Sequence, residues 1–295
     1  MPALTRLARI LALALFLVPG TALGVTVVDQ TGRAFDLPAA PRRIVSLVPS
    51  VTEILFAVGA QDALVGVTDL CDYPPEARRK AHVGDMLTPN LETLVTLRPD
   101  LVVATPSGNR EETFDDLRRL GIPVYLVDPV SVADVLRLIT GLGELTGRRA
   151  DASAVASRLA RRVNAVRVRV AGRPHPRVLY VLWPDPLIVP GGGSLVSELI
   201  GLAGGESVTA DQGRGYPRMS LEAAVAQAPE VIILARHGAT TGPVAMSPWQ
   251  RLESLPAVRN GRIYAIDGDL VHRYGPRIAD GLERLERLIH PEAAR

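Results

Sequence analysis

The sequence predicts an α/β protein of two lobes, each with a central, mostly parallel sheet, joined by a single long helix. Short runs rich in Val and Ile alternate with longer amphipathic stretches, which is typical of parallel strands linked by helices. The length of 295 residues suits two domains of roughly 100–200 residues each. Residues 148–171 contain no proline and no glycine, and their apolar residues recur at helical spacing.

The first lobe is predicted over residues 25–147. Its strand candidates are four short apolar runs: Ile44–Val48, Leu64–Thr68, Leu101–Thr105 and Val124–Asp128. Its helical segments are Thr52–Val58, Leu91–Leu97, Glu111–Leu120 and Val132–Leu145. Asn90 and Ser131 stand immediately before two of these segments, where a side-chain oxygen can cap the first backbone N–H groups of a helix.

The second lobe is predicted over residues 172–295. Its strand candidates are Val178–Leu182, Val231–Ala235 and Ile263–Ile266, and helices are predicted to begin at Leu195, Leu221, Pro248 and Pro276. Residues 148–171 are predicted to form the helix between the lobes. A helix of about 24 residues spans roughly 36 Å, and one stiff helix predicts little relative motion of the lobes. The alternative is a long surface helix within one domain.

Residues 1–24 have the pattern of a secretory signal peptide. Arg6 and Arg9 precede an apolar run from Ile10 to Val18, and small residues around Gly24 provide a cleavage site. The run is shorter than the ~20 residues that span a bilayer, which favours a cleaved signal peptide over the alternative, a retained membrane anchor. The first cysteine, Cys71, is far beyond the end of the run, so there is no lipid attachment site beside it. We therefore expect an exported protein that is not a lipoprotein.

The charge balance indicates no nucleic-acid partner. Removal of residues 1–24 takes away two arginines and no acid, which leaves the rest of the chain with no net charge. Proteins that bind nucleic acid usually cluster Lys and Arg on one face. An exported, neutral, soluble protein is therefore expected.

A weak internal repeat relates two glutamates, one in each lobe. Asn90-Leu91-Glu92 and Ser220-Leu221-Glu222 both precede a proline, an acid and an apolar strand. The repeat places Glu92 and Glu222 at equivalent positions in the first turns of two helices. The alternative role of each acid is to complement the helix dipole, which is common and contributes about 0.3–1 kcal/mol.

The residues do not form a recognisable catalytic or metal-binding motif. Cys71 is the only cysteine, which excludes an internal disulfide and a cysteine-built metal site. No two of the five histidines are three or four residues apart. Ser107 with His272 is the only nucleophile and base that could be paired, and nothing in the sequence brings them together. We expect no enzymatic activity, no catalytic residues and no intrinsic cofactor or metal; the alternative is an exported enzyme or signalling module, since a fold does not fix a function.

Several segments together resemble a known protein family. They are Arg43 to Leu47 with Pro49 and Thr52-Glu53, Asp72-Tyr73-Pro74-Pro75, Asn90-Leu91-Glu92, Ser220-Leu221-Glu222, Gly261 to Tyr264, and Pro276-Arg277. These residues resemble the periplasmic substrate-binding proteins with two α/β lobes and a helical backbone, which serve ATP-driven importers of cobalamin, haem and ferric siderophores. The Asp72 to Pro75 segment and the spacing of Asp269 and Arg273 are most similar to the cobalamin-binding branch.

The resemblance implies a ligand cleft between the lobes. Asp269 and Arg273 match an acid and an arginine that the cobalamin branch uses in its cleft, and Tyr216 stands where that branch has a tryptophan. Other candidate cleft residues are Leu70, Met86 and Thr105, at positions where the branch has aromatic rings, and Trp183, which is either a cleft ring or a core residue. We expect cobalamin or a related corrinoid as the ligand.

Two alternatives and one partner follow from the same resemblance. Haem or a ferric siderophore is the alternative ligand, with His272 and Tyr274 as the available iron ligands, and a free metal ion comes third. Glu92 and Glu222 resemble the acids with which such proteins dock onto arginines of the importer's membrane permease. A monomer is expected.

Overall fold

The computed structural model describes residues 25–37, 39–237 and 249–294. Its first strands, β1 (Val25–Val28) and β2 (Ala34–Leu37), form an antiparallel hairpin. The first sheet is built from β3 (Ile44–Ser46), β4 (Leu64–Val67), β5 (Ala81–His82), β6 (Leu101–Ala104) and β7 (Val124–Leu126). All of its pairings are parallel, and its spatial order is β5-β4-β3-β6-β7.

This strand order positions the cleft. The chain runs from β3 to β4 and β5 on one side, and then returns to place β6 and β7 on the other side of β3. The direction of winding therefore reverses between β3 and β6. In open α/β sheets, ligands bind beyond the carboxyl ends of the strands at such a reversal. Here those ends lead into Val48 and Thr105, respectively.

Helices cover both faces of the first sheet. They are α1 (Pro49–Ala57), α2 (Leu91–Thr96), α3 (Glu111–Arg119) and α4 (Val132–Leu145). Successive residues of a strand point to opposite faces, so Ile44 packs on the side of α1 and α4 while Val45 packs on the side of α2 and α3. The α1 helix begins three residues before the predicted Thr52, because Pro49 is suited to the first turn of a helix.

A single helix, α5 (Arg149–Val170), connects the lobes, as the sequence predicts. Its buried side comprises Ala152, Val155, Leu159, Val163, Val166 and Val170. These residues belong to one continuous core that includes Ile44 of the first sheet and Val178 of the second. Because the lobes share this apolar core behind the cleft, large separation of the lobes would expose it to water.

The second lobe repeats the plan with fewer strands. Its elements are β8 (Arg177–Val181), β9 (Trp183–Pro184), β10 (Leu187–Ile188), α6 (Leu195–Leu202), β11 (Glu206–Ser207), α7 (Leu221–Ala226), β12 (Val231–Arg236), α8 (Pro256–Arg259), β13 (Ile263–Asp267), α9 (Asp269–His272) and α10 (Ile278–Ile289). The main sheet is parallel in the order β11-β8-β12-β13, and β9 and β10 form a separate hairpin. The helix start predicted at Pro248 lies outside the described residues, and the helix predicted from Pro276 begins at Ile278.

Ion pairs connect α5 to α10. Arg162 contacts Asp280 at 2.6 Å and Glu283 at 2.8 Å. Arg169 donates two hydrogen bonds to Glu286, at 2.5 and 2.6 Å. None of the helices in the described part of the chain is long and apolar enough to cross a membrane.

Candidate ligand-binding site

A cleft of about 680 Å³ lies between the two lobes. Its walls come from the residues that follow the parallel strands, as the winding of the sheets requires. The first lobe contributes Val48, Pro49, Ser50, Asp69, Leu70, Asp72, Met86, Thr105, Ser107, Val127 and Pro129, and the second lobe contributes Tyr216, His237, Asp269, His272, Arg273 and Tyr274. The volume is within the usual range for small-molecule sites.

The structure brings six of the seven sequence-predicted ligand residues to this cleft. Leu70, Met86 and Thr105 form part of one wall, and Tyr216, Asp269 and Arg273 form part of the facing wall. The seventh residue, Trp183, is outside the set of lining residues. The residues that follow the strand ends at Val48, Thr68, Thr105 and Ala235 line the cleft, whereas those that follow Leu182 do not.

Arg273 is the centre of a charged cluster at the base of the cleft. Its Nη1 atom lies 2.6 Å from Asp72 Oδ1 and 3.5 Å from Glu53 Oε1, and its Nη2 atom lies 2.8 Å from Asp269 Oδ2. The Arg273 side chain is only 13% exposed. Charge-assisted bonds of this kind hold a guanidinium in one orientation, so Arg273 is fixed before any ligand arrives.

The deepest acid of the cluster, Glu53, is a residue whose role the sequence analysis missed. Its carboxylate accepts hydrogen bonds from Arg277 Nε at 2.9 Å and from Arg277 Nη2 at 2.6 Å. The Arg277 guanidinium lies 4.0 Å from the centre of the Tyr73 ring. The sequence signal that could have identified it is that Glu53 is the single acid of an otherwise uncharged helix, since a buried charge requires a partner.

The environment shifts the pKa values of the three acids differently. Burial raises the pKa of Glu53, and Arg277 and Arg273 offset only part of that effect. Partial burial also raises the pKa of Asp269 above its ordinary value, against the opposing charge of Arg273. For Asp72, the hydrogen bond and charge of Arg273 outweigh burial and hold its pKa below the ordinary value.

Aromatic and imidazole rings form the wall of the second lobe. The hydroxyl groups of Tyr216 and Tyr274 are 2.9 Å apart. His272 Nε2 lies 2.9 Å from the Tyr180 hydroxyl, and the His272 ring stacks on His237 with 5.2 Å between centres. Burial, with a smaller contribution from His237, lowers the pKa of His272 to about 3, so this ring is uncharged at neutral pH.

The core alternative for Trp183 is wrong. The Trp183 side chain is 43% exposed, because β9 belongs to a short hairpin outside the main sheet. Its Nε1 atom donates to the carbonyl of Asp185, and its ring centre lies 5.8 Å from that of His237. Because His237 lines the cleft, the Trp183 ring is next to the cleft lining without belonging to it.

The sequence-predicted ligand residues of the first lobe, Leu70, Met86 and Thr105, have small or flexible side chains. Leu70 is 51% exposed at the cleft, and Met86 packs on the edge of the core. The Thr105 hydroxyl lies 2.9 Å from that of Ser107, while Asn109 accepts a hydrogen bond from the Thr105 backbone. Ser107 and His272 both line the cleft. Ser107 hydrogen-bonds to Thr105, and His272 hydrogen-bonds to Tyr180, so the two do not form a serine–histidine pair.

Cys71 lies behind the cleft wall. It is 1% exposed, and its sulfur is 3.2 Å from the Thr68 hydroxyl. Burial raises the pKa of its thiol. Among the residues that the structure describes, no three His, Cys, Asp or Glu side chains are grouped to hold a metal ion.

A second cavity, of about 440 Å³, lies on the other side of the charged cluster. It is lined by Phe56 of α1, Tyr73, Arg158 of α5 and Arg277. Glu53 also lines it, whereas Arg273, which contacts Glu53, lines the cleft. The ion pairs therefore stand between the two cavities. None of the sequence-predicted ligand residues lies in the second cavity.

Glu92 and Glu222 are not among the residues that line the cleft, and they lie in the first turns of α2 and α7. Both are exposed. Asn90 accepts a hydrogen bond from the Thr93 backbone, and Ser220 accepts one from Ala223, so both helices have the predicted polar caps. Hydrogen bonds from its own backbone N–H and from Ser220 lower the pKa of Glu222.

Two α/β lobes, each with a parallel main sheet, and a ligand cleft between them are the architecture of solute-binding proteins. The family model for periplasmic binding proteins matches residues 44–270. The vitamin B12-binding protein of Vibrio cholerae serotype O1 is 32% identical over 248 residues, which cover 84% of this chain and 89% of that protein. This chain therefore belongs to the periplasmic binding protein family, which confirms the resemblance seen in the sequence.

Solved structures agree with this assignment. The periplasmic vitamin B12 binding protein BtuF of Vibrio cholerae superposes with a TM-score of 0.76 at 31% identity, covering 87% of this chain and 99% of that chain. The periplasmic heme-binding protein RhuT from Roseiflexus sp. RS-1, in its apo form, gives a TM-score of 0.76 at 27% identity, covering 86% and 99% of the two chains. The two-lobed fold predicted from the sequence is thus confirmed.

Proposed function

We propose that this chain is a non-enzymatic periplasmic binding protein that captures cobalamin or a related corrinoid and delivers it to an ATP-driven membrane importer. The observation that carries the proposal is the meeting of Tyr216, Asp269 and Arg273 in one cleft between the lobes. These are the residues whose pattern resembles the cobalamin-binding branch, and relatives at about one-third identity are named for vitamin B12.

The cleft suits a flat ligand held mainly by contact with its faces. Leu70 and Met86 offer apolar surface on one side, and Tyr216 offers a ring on the other. Thr105 adds a hydroxyl for hydrogen bonding. Aliphatic side chains replace rings in the first lobe, so we propose that burial of apolar area supplies most of the affinity, with less ring stacking.

Haem or a ferric siderophore is the alternative ligand, and the similarity to a heme-binding protein supports it. The candidate iron ligands argue against it. His272 Nε2 is engaged with the Tyr180 hydroxyl, and the Tyr274 hydroxyl is engaged with Tyr216. Binding of iron by either residue would have to break one of these contacts in a largely buried setting, at a free-energy cost.

Delivery is proposed to use one acid on each lobe. Glu92 and Glu222 are exposed at matching positions in α2 and α7 and take no part in the cleft. Two separated carboxylates on one body can orient it against arginines of a membrane permease and speed the encounter. In this proposal the protein acts as a monomer.

The proposal includes export and the limits of the lobes. Residues 1–24 are a signal peptide that is cleaved near Gly24, and the product is periplasmic and not a lipoprotein. Residues 25–147 and 172–295 act as the two lobes, and residues 148–171 act as the tie between them. Mass spectrometry of the protein from its native host should find a chain that begins at or near Val25.

Titration of the purified mature protein tests the ligand assignment. Cyanocobalamin, haemin and a ferric siderophore are compared by calorimetry, with tryptophan fluorescence as a second readout. The Trp183 ring is next to the cleft residue His237 whereas Trp249 is buried and does not line the cleft, so a corrinoid in the cleft should quench mainly Trp183. The Trp183→Phe variant should retain the heat of binding and lose most of the quenching. Tighter binding of haemin or the siderophore would replace the corrinoid with the alternative.

A further inference from the structure

The walls of the cleft carry more carboxylates than cations. Asp69, Asp72 and Asp269 line the cleft, and Arg273 is the one Lys or Arg among the described lining residues. Residues 238–248, which follow the lining residue His237 and fall outside the described part, contain no ionisable side chain. The cleft lining is therefore net negative.

The charges outside the lining do not reverse this balance. The Asp128 carboxylate acts on Tyr274, and that of Asp267 acts on Asp269, so both add negative charge. Arg78 lies 3.7 Å from Asp72 and adds one positive charge, which these two carboxylates outnumber.

His82 contacts Asp69 at 2.9 Å from the solvent side, where both side chains are exposed. Behind the lining, Glu53 and Arg277 cancel one another. The balance at the cleft thus remains negative when its surroundings are included.

Arg273 is not available to bind an acidic ligand. Its guanidinium already contacts Asp72 at 2.6 Å and Asp269 at 2.8 Å, and these two carboxylates carry more negative charge than one guanidinium can neutralise. A ligand carboxylate would have to displace one of these acids and leave it uncompensated. The groups that remain to contact a ligand are therefore the carboxylates around Arg273 and not its guanidinium.

Asp269 also has unused acceptor capacity. Its Oδ2 atom contacts Arg273, and no partner for its Oδ1 atom occurs among the residues of the described ranges. A carboxylate accepts through both oxygens, so Oδ1 can take an N–H or O–H group. The ligand group that fits there is a hydrogen-bond donor without negative charge.

We propose that the excess of carboxylates in the cleft selects a neutral macrocycle that presents amide N–H groups and rejects the same kind of macrocycle when it carries carboxylates. Asp69 and Asp269 are the residues that set this preference. The corrin ring of cobalamin has amide side chains, whereas haem has two propionates. The identity of the macrocycle rests on the proposed function, but the preference for the neutral form does not.

Two matched ligand pairs test the preference. The first pair is cyanocobalamin and a purified monocarboxylic acid made from it by hydrolysis of one side-chain amide. The second pair is haemin and its bis-amide. Each affinity is measured by calorimetry in 20 mM and in 300 mM salt. A ligand carboxylate within about 6 Å of an uncompensated acid should weaken binding roughly tenfold or more at low salt, and less at high salt.

The variants connect the preference to its residues. In the double variant Asp69→Asn with Asp269→Asn, the ratio of neutral to acidic affinities should fall toward one. The Asp69→Asn single variant should lower the ratio partly, and it changes a side chain that is 61% exposed, so folding is not at risk. Asp62→Asn is the matched control, because this exposed acid precedes the amino end of β4, does not line the cleft at the carboxyl ends of the strands, and should leave the ratio unchanged.

The outcomes separate this inference from the proposed function. If neither corrinoid binds but the bis-amide of haemin binds better than haemin, the corrinoid assignment fails and the charge preference stands. If cyanocobalamin binds but its monocarboxylic acid binds equally well, the charge preference is wrong and the assignment stands. The charge preference would also be wrong if the double variant left the ratio of affinities unchanged, or if none of the four compounds bound.

Discussion

The carboxylate of Glu53 and the guanidinium of Arg277 form a two-pronged ion pair between residues 224 positions apart in the chain. Glu53 belongs to α1 of the first lobe, and Arg277 immediately precedes α10 of the second. The Glu53 side chain is 2% exposed and that of Arg277 is 15% exposed. The pair therefore joins the lobes at the base of the cleft and supports Arg273 from behind.

Removal of Glu53 alone should strongly destabilise the fold. Glu53→Ala leaves Arg277 without its main partner in a largely buried position, and breaking a buried pair in this way costs about 3–5 kcal/mol. Urea unfolding of the mature protein measures the change. The double variant Glu53→Met with Arg277→Met should recover most of the loss, because it removes both charges. A Glu53→Ala protein within about 1 kcal/mol of wild type would contradict the role of the pair.

Removal of the Arg273 charge should weaken ligand binding. Arg273→Gln removes the charge that orients Asp72 and Asp269 in the cleft. Without that orientation their charge-assisted hydrogen bonds to the ligand should weaken, which corresponds to roughly a tenfold to hundredfold loss of affinity for cyanocobalamin. Arg78→Gln is the matched control, since Arg78 touches the same Asp72 from solvent and should change affinity less than about threefold. Equal effects of the two variants would show that Arg273 has no special place in binding.

His272 should make stability depend on pH below neutrality. The pKa of His272 is about 3 in the folded protein against 6.5 ordinarily, so between these values the unfolded chain binds a proton that the folded protein does not. The free energy of unfolding therefore falls as pH falls through this window. Between pH 7 and pH 5 the loss from this residue is about 2 kcal/mol. His272→Gln should lose about that much less than wild type in urea unfolding at the two pH values, and an unchanged difference would contradict the assignment.

Glu92 and Glu222 should matter for transport and not for ligand affinity. Each alanine variant should leave the free energy of unfolding nearly unchanged, because an exposed acid in a first helical turn contributes little. Cyanocobalamin affinity should stay unchanged. Uptake into vesicles that contain the cognate permease should fall in each single variant and further in the double, with a weaker dependence on salt. Full uptake by the double variant at limiting binding protein would return both acids to a helix-capping role.

Ligand binding should change the overall shape only slightly. The α5 helix and the continuous core behind both sheets resist a wide hinge motion. Small-angle scattering with and without cyanocobalamin should give radii of gyration that differ by less than about 1 Å. A larger fall on binding would mean that the lobes close about a flexible hinge.

The sequence predicted the main strands and helices well because their signals are local. Runs such as Val231–Ala235 and caps such as Ser131 can be recognised without knowledge of the rest of the chain. The helical spacing of its apolar residues likewise predicted α5. The two-residue strands β5, β9, β10 and β11 were missed, because two residues carry no periodic pattern.

The candidate site was predictable in part. The resemblance singled out Tyr216, Asp269 and Arg273, and they do share a cleft. The partners of Arg273 were not predicted, because Asp72 lies 201 positions away and such pairings arise only from the packing of the two lobes. Trp183 could not be assigned from the sequence either, since its exposure depends on a hairpin too short to recognise.

The crystal structure of the mature protein with one equivalent of cyanocobalamin tests the central claim most directly. The account predicts the corrin ring in the 680 Å³ cleft, in contact with Tyr216 and beside the Arg273 cluster, with the lobes almost unmoved. The second cavity, of about 440 Å³ beside Tyr73 and Arg158, should be free of ligand. A corrinoid bound in that second cavity, or a cleft that stays empty at saturating cyanocobalamin, would contradict the account.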